Sequence, residues 1–434
     1  MNARSRPTGE ERPLDMKAVL TTIKNGMAHF QMIEPLVCQR YVLALLFLKY
    51  VSDQVEAGNL ILLPPHSKFH VLYDQREAPH IGPLLNIAIN EFVRANKGLD
   101  GLFKDMDFEA SAGISVDRWR HALQKSLECF NSLDLKTPWP NLINEVYGQL
   151  AAKAEKGTSA FFTPPDVANL ITELLEPKSG ETICDPACGT GNLLLPCASF
   201  LQKKGVRDVR LFGQEIFENH WMVAKMNLFL NQCPGRLERE DTLWYPQLVD
   251  EKGDLLKFHL IVSNPPFSLN KWGAENAEKD LYNRFHRGVP HAGGTDMAFL
   301  SHIVETMDPE TGRVGAILPY SSLTRKGSEK NIRQALIDEN LVDAVIGLPN
   351  KIFINSLFVA IVILKKQRPD TSILFMDATE EFKPGKRNVL TEAGASRIVS
   401  AYQSRRSEGQ FSRLVPRNEI GDDAGLNPHF FLDN

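Results

Sequence analysis

The 434-residue chain reads as an α/β protein in which an N-terminal helical domain precedes a mostly parallel, doubly wound sheet. Three observations predict this. Up to about residue 157, apolar residues recur at three- and four-residue intervals. From residue 182, short β-rich runs alternate with helical stretches, as crossover-connected parallel strands require. At 183-ICDPACGTGNLLL-195 a strand passes through a Gly-x-Gly turn into a helix. The expected domains are 1–157, 158–378 and a short C-terminal extension, 379–434.

In chain order, the helical pattern covers 16-MKAVLTTIKNGMAHF-30, 41-YVLALLFLKYVSDQVEA-57, 81-IGPLLNIAINEFVRAN-96 and 138-PWPNLINEVYGQLAAKAEK-156. In 160-AFFTPPDVANLITELL-175, Thr163 as N-cap, Pro164 in the first turn and Asp166 predict a capping box ahead of an apolar helix. Phe161 and Phe162 upstream are costly to leave in water, so one of them is expected to pack or to face a ligand. Strands are expected at 182-TICDPA-187, 209-VRLFGQEI-216, 258-FHLIVSN-264, 312-GRVGAILP-319, 342-VDAVIGLP-349, 359-VAIVILKK-366 and 373-ILFMDA-378, and a helix near 391-TEAGASRIVSAYQSRR-406.

Composition narrows the function. A hydrophobic share of 43%, a charged share of 24% and a net charge of -4 do not suit a self-sufficient nucleic-acid binder, which is usually basic or carries a basic tail. The N-terminus, MNARSRPTGEERPLD, has no apolar signal core, and runs such as 357-LFVAIVIL-364 are too short to span a bilayer. A cytoplasmic protein with no membrane partner is expected. Cys38, Cys129, Cys184, Cys188, Cys197 and Cys233 have spacings that fit neither a zinc site nor a disulfide scaffold, so reduced, mostly buried thiols and no metal are expected.

The candidate ligand-binding residues fall at strand ends. Gly189 and Gly191 let the backbone approach a ligand at a helix N-terminus, although a plain strand-to-helix turn has the same letters. Leu194 takes the place of the third glycine of the dinucleotide fingerprint, which argues against NAD and for a nucleoside without a pyrophosphate. Glu215, 24 residues beyond Gly191, stands where an acid would receive ribose hydroxyls, or it is a solvent-facing carboxylate. Asp241, in 238-ERED-241, would accept from an adenine amino group near the tip of a possible third strand, or it is a surface acid.

The segment 260-LIVSNPPFSL-269 is the most specific. An Asn264 side-chain carbonyl followed by the Pro265 and Pro266 main-chain carbonyls offers two fixed acceptors to one NH2 group, because proline has no N–H to compete and a fixed φ. Two accepted hydrogen bonds on a ring-conjugated amine favour a pyramidal nitrogen with an available lone pair. An exposed Phe267 could stack on the ring. The plain alternative is a proline-terminated strand followed by a core phenylalanine; the preceding order Asp185, Gly189, Gly191, Glu215, Asp241 weighs against it.

The order FFTP, DPACGTG, QE, NPPF resembles the modification (M) subunits of Type I restriction-modification systems, gamma-type N6-adenine DNA methyltransferases that use S-adenosyl-L-methionine. The likeness extends to YVLALLFLKYVSD, 296-DMAFL-300, 332-IRQALIDENLVDAVIGLP-349 and 388-NVLTE-392. It implies a Rossmann-like methyltransferase domain over 158–378. It also implies that Phe162, Thr163 and Pro164 line the methionine or adenosine side of the cofactor, with Asp185, Gly189 and Gly191 around its amino-acid part and ribose. Glu215 would hold the ribose hydroxyls and Asp241 the cofactor adenine. Asn264 and Pro265 would accept from the target amine, beside Pro266, with Phe267 and Phe353, in 350-NKIFIN-355, as stacking walls for a flipped base. The implied partners are duplex DNA, a specificity (S) subunit and a restriction endonuclease (R) subunit.

Two features depart from that pattern. The chain ends at 427-NPHFFLDN-434, where the resemblance implies a helical extension, so docking is expected to use the N-terminal helices or an altered assembly. In 354-INSLFVAIVI-363 an expected proline is missing. The competing expectations are a methyltransferase for a protein amide or small-molecule amine, and a non-catalytic relative that acts as a scaffold.

Overall fold

The structure, a computed structural model, describes residues 16–110, 113–154, 162–267, 271–353 and 357–432. Phe161 lies outside the described residues. The chain divides into two compact units, residues 1–150 and 151–434.

The first unit is helical, with α1 (Met16–Ala28), α2 (Pro35–Glu56), α3 (Phe69–Asp74), α4 (Ile81–Ala95), α5 (Val116–Asn131) and α6 (Leu142–Ala154). Helix α2 starts six residues before the expected stretch because Pro35 takes the first helical position, where its missing N–H costs nothing. By length and composition α2 could cross a membrane, contrary to the reading of its sequence, but 78% of its apolar window is buried. It is the core helix of this unit. It carries a buried Lys49–Asp53 pair at 2.6 Å, and Asp53 also accepts from Leu135 N at 2.8 Å, so the charge is answered inside the protein. Aromatic rings close the core: Tyr41 meets Phe108 edge-on at 5.0 Å and Trp119 at 4.9 Å. Helix α5 was not among the expected helices. Its buried Trp119, Leu123, Leu127 and Phe130 keep helical spacing, but charged residues between them dilute the apolar run.

In the second unit α7 (Pro165–Leu175) precedes β1 (Thr182–Asp185), α8 (Leu194–Lys203), β2 (Arg210–Glu215), α9 (Glu218–Leu230), β3 (Arg236–Arg239) and β4 (Leu260–Ser263). Then follow α10 (Thr295–Thr306), β5 (Arg313–Pro319), α11 (Tyr320–Thr324), α12 (Ser328–Asp338), β6 (Val342–Gly347), β7 (Val359–Lys365) and β8 (Ile373–Asp377). The chain closes with a small hairpin, β9 (Phe382–Lys383) and β10 (Val389–Leu390), then α13 (Glu392–Ser404), β11 (Ser412–Val415) and α14 (His429–Leu432). Among the described residues nine strands form one sheet in the order β11-β8-β6-β7-β5-β4-β1-β2-β3.

From β5 through β4, β1 and β2 to β3 every pairing is parallel. β7 runs antiparallel between β5 and β6. The link over residues 348–358 is too short for a crossover helix, so the chain can only turn back. Along β5 side chains alternate between faces: Val314, Ala316 and Leu318 join the core beneath α10 and α12, while a Cβ on Gly315 would press on Ile171 and Leu175 of α7 at 2.9 Å. The sheet is therefore covered on both faces, as a doubly wound architecture requires.

Within 379–434, expected to be a short extension, the described residues 379–432 are woven into this unit. β11 pairs with β8 at the sheet edge, Tyr402 of α13 and Arg405 at its C-cap bind Asp343 of β6, and Phe431 stacks on Phe375 at 4.1 Å. The six cysteines are free thiols and five are buried; burial pushes Cys38 up to about 11 and Cys197 and Cys233 up to about 12.

Candidate active site

Four neighbouring parallel strands, in the order β4-β1-β2-β3, end on the same edge of the sheet. Asp185 is the last residue of β1 and Glu215 the last of β2, while Asp241 lies two residues beyond β3 and Asn264 one beyond β4. The chain leaves β1 toward β2 on one side and reaches β4 on the other, so the crevice between them is a topological switch point, where open α/β sheets take ligands.

The turn after β1 is shaped by its glycines. Gly189 and Gly191 have φ of 53° and 85°, which side chains other than glycine rarely adopt. A Cβ built on Gly189 meets no atom within 4 Å, so the turn leaves open space above it. Glu215 fixes this turn: one carboxylate oxygen accepts from Gly189 N at 2.9 Å and the other from Phe217 N at 2.8 Å. Each oxygen keeps lone-pair capacity beyond that one bond.

Asp185 is 2% exposed and accepts from Ala187 N at 3.0 Å. Burial, with the neighbouring Glu215 charge adding to it against the Ala187 N–H, pushes its carboxyl up to about 7. Asp241 uses Oδ1 to accept from Leu243 N at 2.8 Å and Trp244 N at 3.1 Å. Among the described residues Oδ2 has no partner. Thr242 Oγ1 donates to Pro186 O at 2.6 Å, tying the Asp241 turn to the glycine turn.

At β4 the Asn264 amide nitrogen donates to Thr163 Oγ1 at 3.1 Å, which places Oδ1 at the opposite end of the amide. Pro265 is buried and Pro266 half-buried. The expected capping box does not form. The N-cap of α7 is Pro164, without a side-chain cap, and Pro165 takes the first helical position. Thr163 turns its hydroxyl to Asn264, and Asp166 binds Arg387 at 2.8 Å and Leu390 N at 2.8 Å. Tertiary partners thus claim both side chains.

Phe267, expected to be exposed, is 8% exposed, and Phe353 is 2% exposed, so both rings are buried. An apolar ring gains more from the core than from water. Phe162 is half-buried and meets His220 edge-on at 5.8 Å, with Phe217 on the same imidazole at 5.5 Å. The residues that do expose apolar surface at these strand ends are Ile216, Phe217, Trp244 and Tyr245. The sequence signal for the first two is two apolar residues directly behind a strand-end acid; for the other two it is an aromatic pair in a turn.

The family model for N-6 DNA methylase matches residues 141–431. The chain is 29% identical over 353 residues to the Type I restriction enzyme MpnII methylase subunit of Mycoplasma pneumoniae, covering 75% of this chain and 64% of that relative. It therefore spans just under two thirds of that relative's length. It is 28% identical over 420 residues to the MjaVII methylase subunit of Methanocaldococcus jannaschii, covering 88% of this chain and 70% of the relative. In structure it is similar to the type I restriction-modification system methyltransferase subunit from Streptococcus thermophilus, with a TM-score of 0.80 at 25% identity over 95% of this chain and 98% of the other.

Proposed function

The chain belongs to the N-6 DNA methylase family, and on that premise we propose that it transfers a methyl group from S-adenosyl-L-methionine to adenine N6 in duplex DNA, with sequence choice supplied by a separate specificity subunit. The observation that carries this reading is the Asn264–Pro265 pair at the end of β4, beside the open glycine turn of β1. A restriction endonuclease subunit is a further partner consistent with the Type I relatives.

The residues fit the cofactor. Open space over Gly189 admits a ligand, the Glu215 carboxylate at the end of β2 suits ribose hydroxyls, and the remaining oxygen of Asp241 suits an adenine amino group. The exposed Ile216 and Phe217 directly behind Glu215 suit the flat faces of a purine. Asp185, with a carboxyl raised by burial, suits the cofactor's ammonium, and Phe162, Thr163 and Pro164 would line the cofactor's methionine or adenosine side. The cofactor supplies an electrophilic sulfonium methyl when bound.

The chain's own residues act on the amine. Asn264 Oδ1 and the Pro265 carbonyl accept the two N6 hydrogens, which draws the nitrogen toward a tetrahedral shape and concentrates its lone pair opposite those acceptors. Thr163 holds the amide in that orientation. An adenine inside a duplex cannot present N6 in line with the methyl, so the base must leave the stack. Stacking on Phe267 or Phe353 would require either buried ring to be uncovered by the base.

Nucleoside mass spectrometry of DNA from cells expressing this chain with and without a specificity subunit tests the reading. N6-methyladenine is expected in the pair, and Asn264→Ala should lower transfer by about 10²–10³ while cofactor affinity holds. Wild-type transfer by that variant, or no methyladenine from a pair that binds the cofactor, refutes the mechanism.

A further inference from the structure

The stretch between Asn264 and α10 builds a small core of its own. Leu243, Trp272, Ala277, Phe285, Ala298 and Phe299 pack together, with Ala187 of the β1 turn against them. This cluster therefore joins the loop after Asn264 to the turn that carries Asp241. At its polar centre sits Arg284, 3% exposed.

Asp280, in the same loop, braces the Arg284 guanidinium, and the two terminal nitrogens reach across this junction to the Asp241 turn. Its Nε and one terminal nitrogen donate to Asp280 Oδ1 at 2.9 and 2.7 Å, and its backbone N donates to Asp280 Oδ2 at 2.6 Å. The same terminal nitrogen donates to Leu243 O at 2.6 Å, and the other donates to Thr242 O at 3.1 Å and to His302 Nδ1 at 3.1 Å. Burial, with the Arg284 charge adding to it, holds His302 well below its usual range; a guanidinium can only donate, so Nδ1 accepts in this contact. The planar guanidinium meets a carboxylate, two carbonyls and an imidazole at once; a lysine ammonium has neither the donors nor the fork to do so.

We infer that Arg284 is a positioning residue that holds the cofactor-side turn, residues 241–245, and the loop that follows Asn264 as one body. The inference rests on the functional reading above, because it assigns that turn to the cofactor adenine. The carbonyls of Thr242 and Leu243 are the backbone next to Asp241, so losing their donor loosens the turn whose Leu243 and Trp244 N–H groups hold the Asp241 carboxylate. Asn264 is anchored separately, through Thr163. The effect should therefore fall on cofactor binding rather than on the chemical step.

Arg284→Met alone would strand the buried Asp280 carboxylate, so the double variant Asp280→Asn/Arg284→Met is the one to measure. Its KM and Kd for S-adenosyl-L-methionine should rise about tenfold, with kcat at saturating cofactor within about threefold of wild type. Hydrogen exchange should quicken over residues 240–247 and stay slow in β1 and β4. A kcat loss with KM unchanged, or wild-type cofactor affinity in the double variant, overturns the inference. If the wild-type chain binds no cofactor, the functional reading has failed instead; exchange then decides alone, and unchanged rates over 240–247 overturn the positioning role.

Discussion

Two carboxylates buried in the same sheet have opposite surroundings. Asp343, 3% exposed near the start of β6, lies between Arg405 at 2.8 Å, Arg368 at 3.1 Å, Lys365 at 3.3 Å and the Tyr402 hydroxyl at 2.7 Å. Burial alone would raise its pKa, but these partners together hold it below the usual carboxylate range. Asp185, at the end of β1, has the Ala187 N–H and a second carboxylate for a neighbour, and its carboxyl is pushed up instead. One region uses charge to join α13 to the sheet. Among the described residues the other gives its carboxylate hydrogen bonds but no cationic partner where a ligand would arrive, the condition expected of functional sites.

The largest effect that could break this contrast is at the satisfied end. Asp343→Ala leaves two arginines and a lysine without their shared anion, so unfolding free energy should fall by about 3–5 kcal/mol. Urea denaturation measures it, and cofactor affinity should not change. A variant that lost cofactor binding while keeping its stability would place Asp343 in the site and erase the distinction. The sign with pH follows from the lowered pKa: the stabilisation is present above the ordinary carboxylate range and is lost as pH falls through the folded-state value.

Asp185 should show the reverse. Its ordinary value is 3.8 and its folded value about 7, so between those values the folded state binds more protons than the unfolded one. Its contribution to stability falls by at most about 1.4 kcal/mol per pH unit as pH rises from about 4 to about 7, and is constant above. Denaturation of Asp185→Asn across that window should lack this slope. If the cofactor's ammonium meets Asp185, binding favours the carboxylate and releases a proton near pH 7. Calorimetry in buffers of different ionisation enthalpy would detect it, and Asp185→Asn should abolish it; identical proton release in the variant would assign the proton elsewhere.

The strand-end order was legible in the sequence because it needs only turn chemistry and alternation: Gly189, Gly191, Glu215 and Asn264 each follow an apolar run that can only be a strand. The reversed strand β7 was legible as a strand but not in direction, which depends on where β6 leaves the chain; β11, the other reversed strand, pairs antiparallel with β8 at the sheet edge. Thr163 was misread because its partner, Asn264, is 101 positions away, and local capping rules do not see a distant amide. The burial of Phe267 was not legible for a related reason, since NPPF fixes the backbone but not what covers the ring. Arg284 had no local signature. Its acceptors come from residues 242–243, 280 and 302 and meet only in the folded chain.

The smallest effect sharpens the contrast within the site itself. Thr163→Val keeps the side-chain shape and removes the acceptor of the Asn264 amide, a neutral hydrogen bond worth about 1 kcal/mol. Three roles predict three results. A helix cap would appear as a loss of stability with kcat and KM unchanged, but α7 takes no cap from Thr163, so stability should fall only by about 1 kcal/mol, that of the lost hydrogen bond. A cofactor contact would raise KM for S-adenosyl-L-methionine at constant kcat. Orientation of Asn264 should instead lower kcat about fivefold with KM for the cofactor unchanged, and Thr163→Ser, which restores the hydroxyl, should recover it. A KM effect would move Thr163 to the cofactor side; a kcat effect would make the amide of Asn264 a ligand-facing group held in place by a partner outside the reaction.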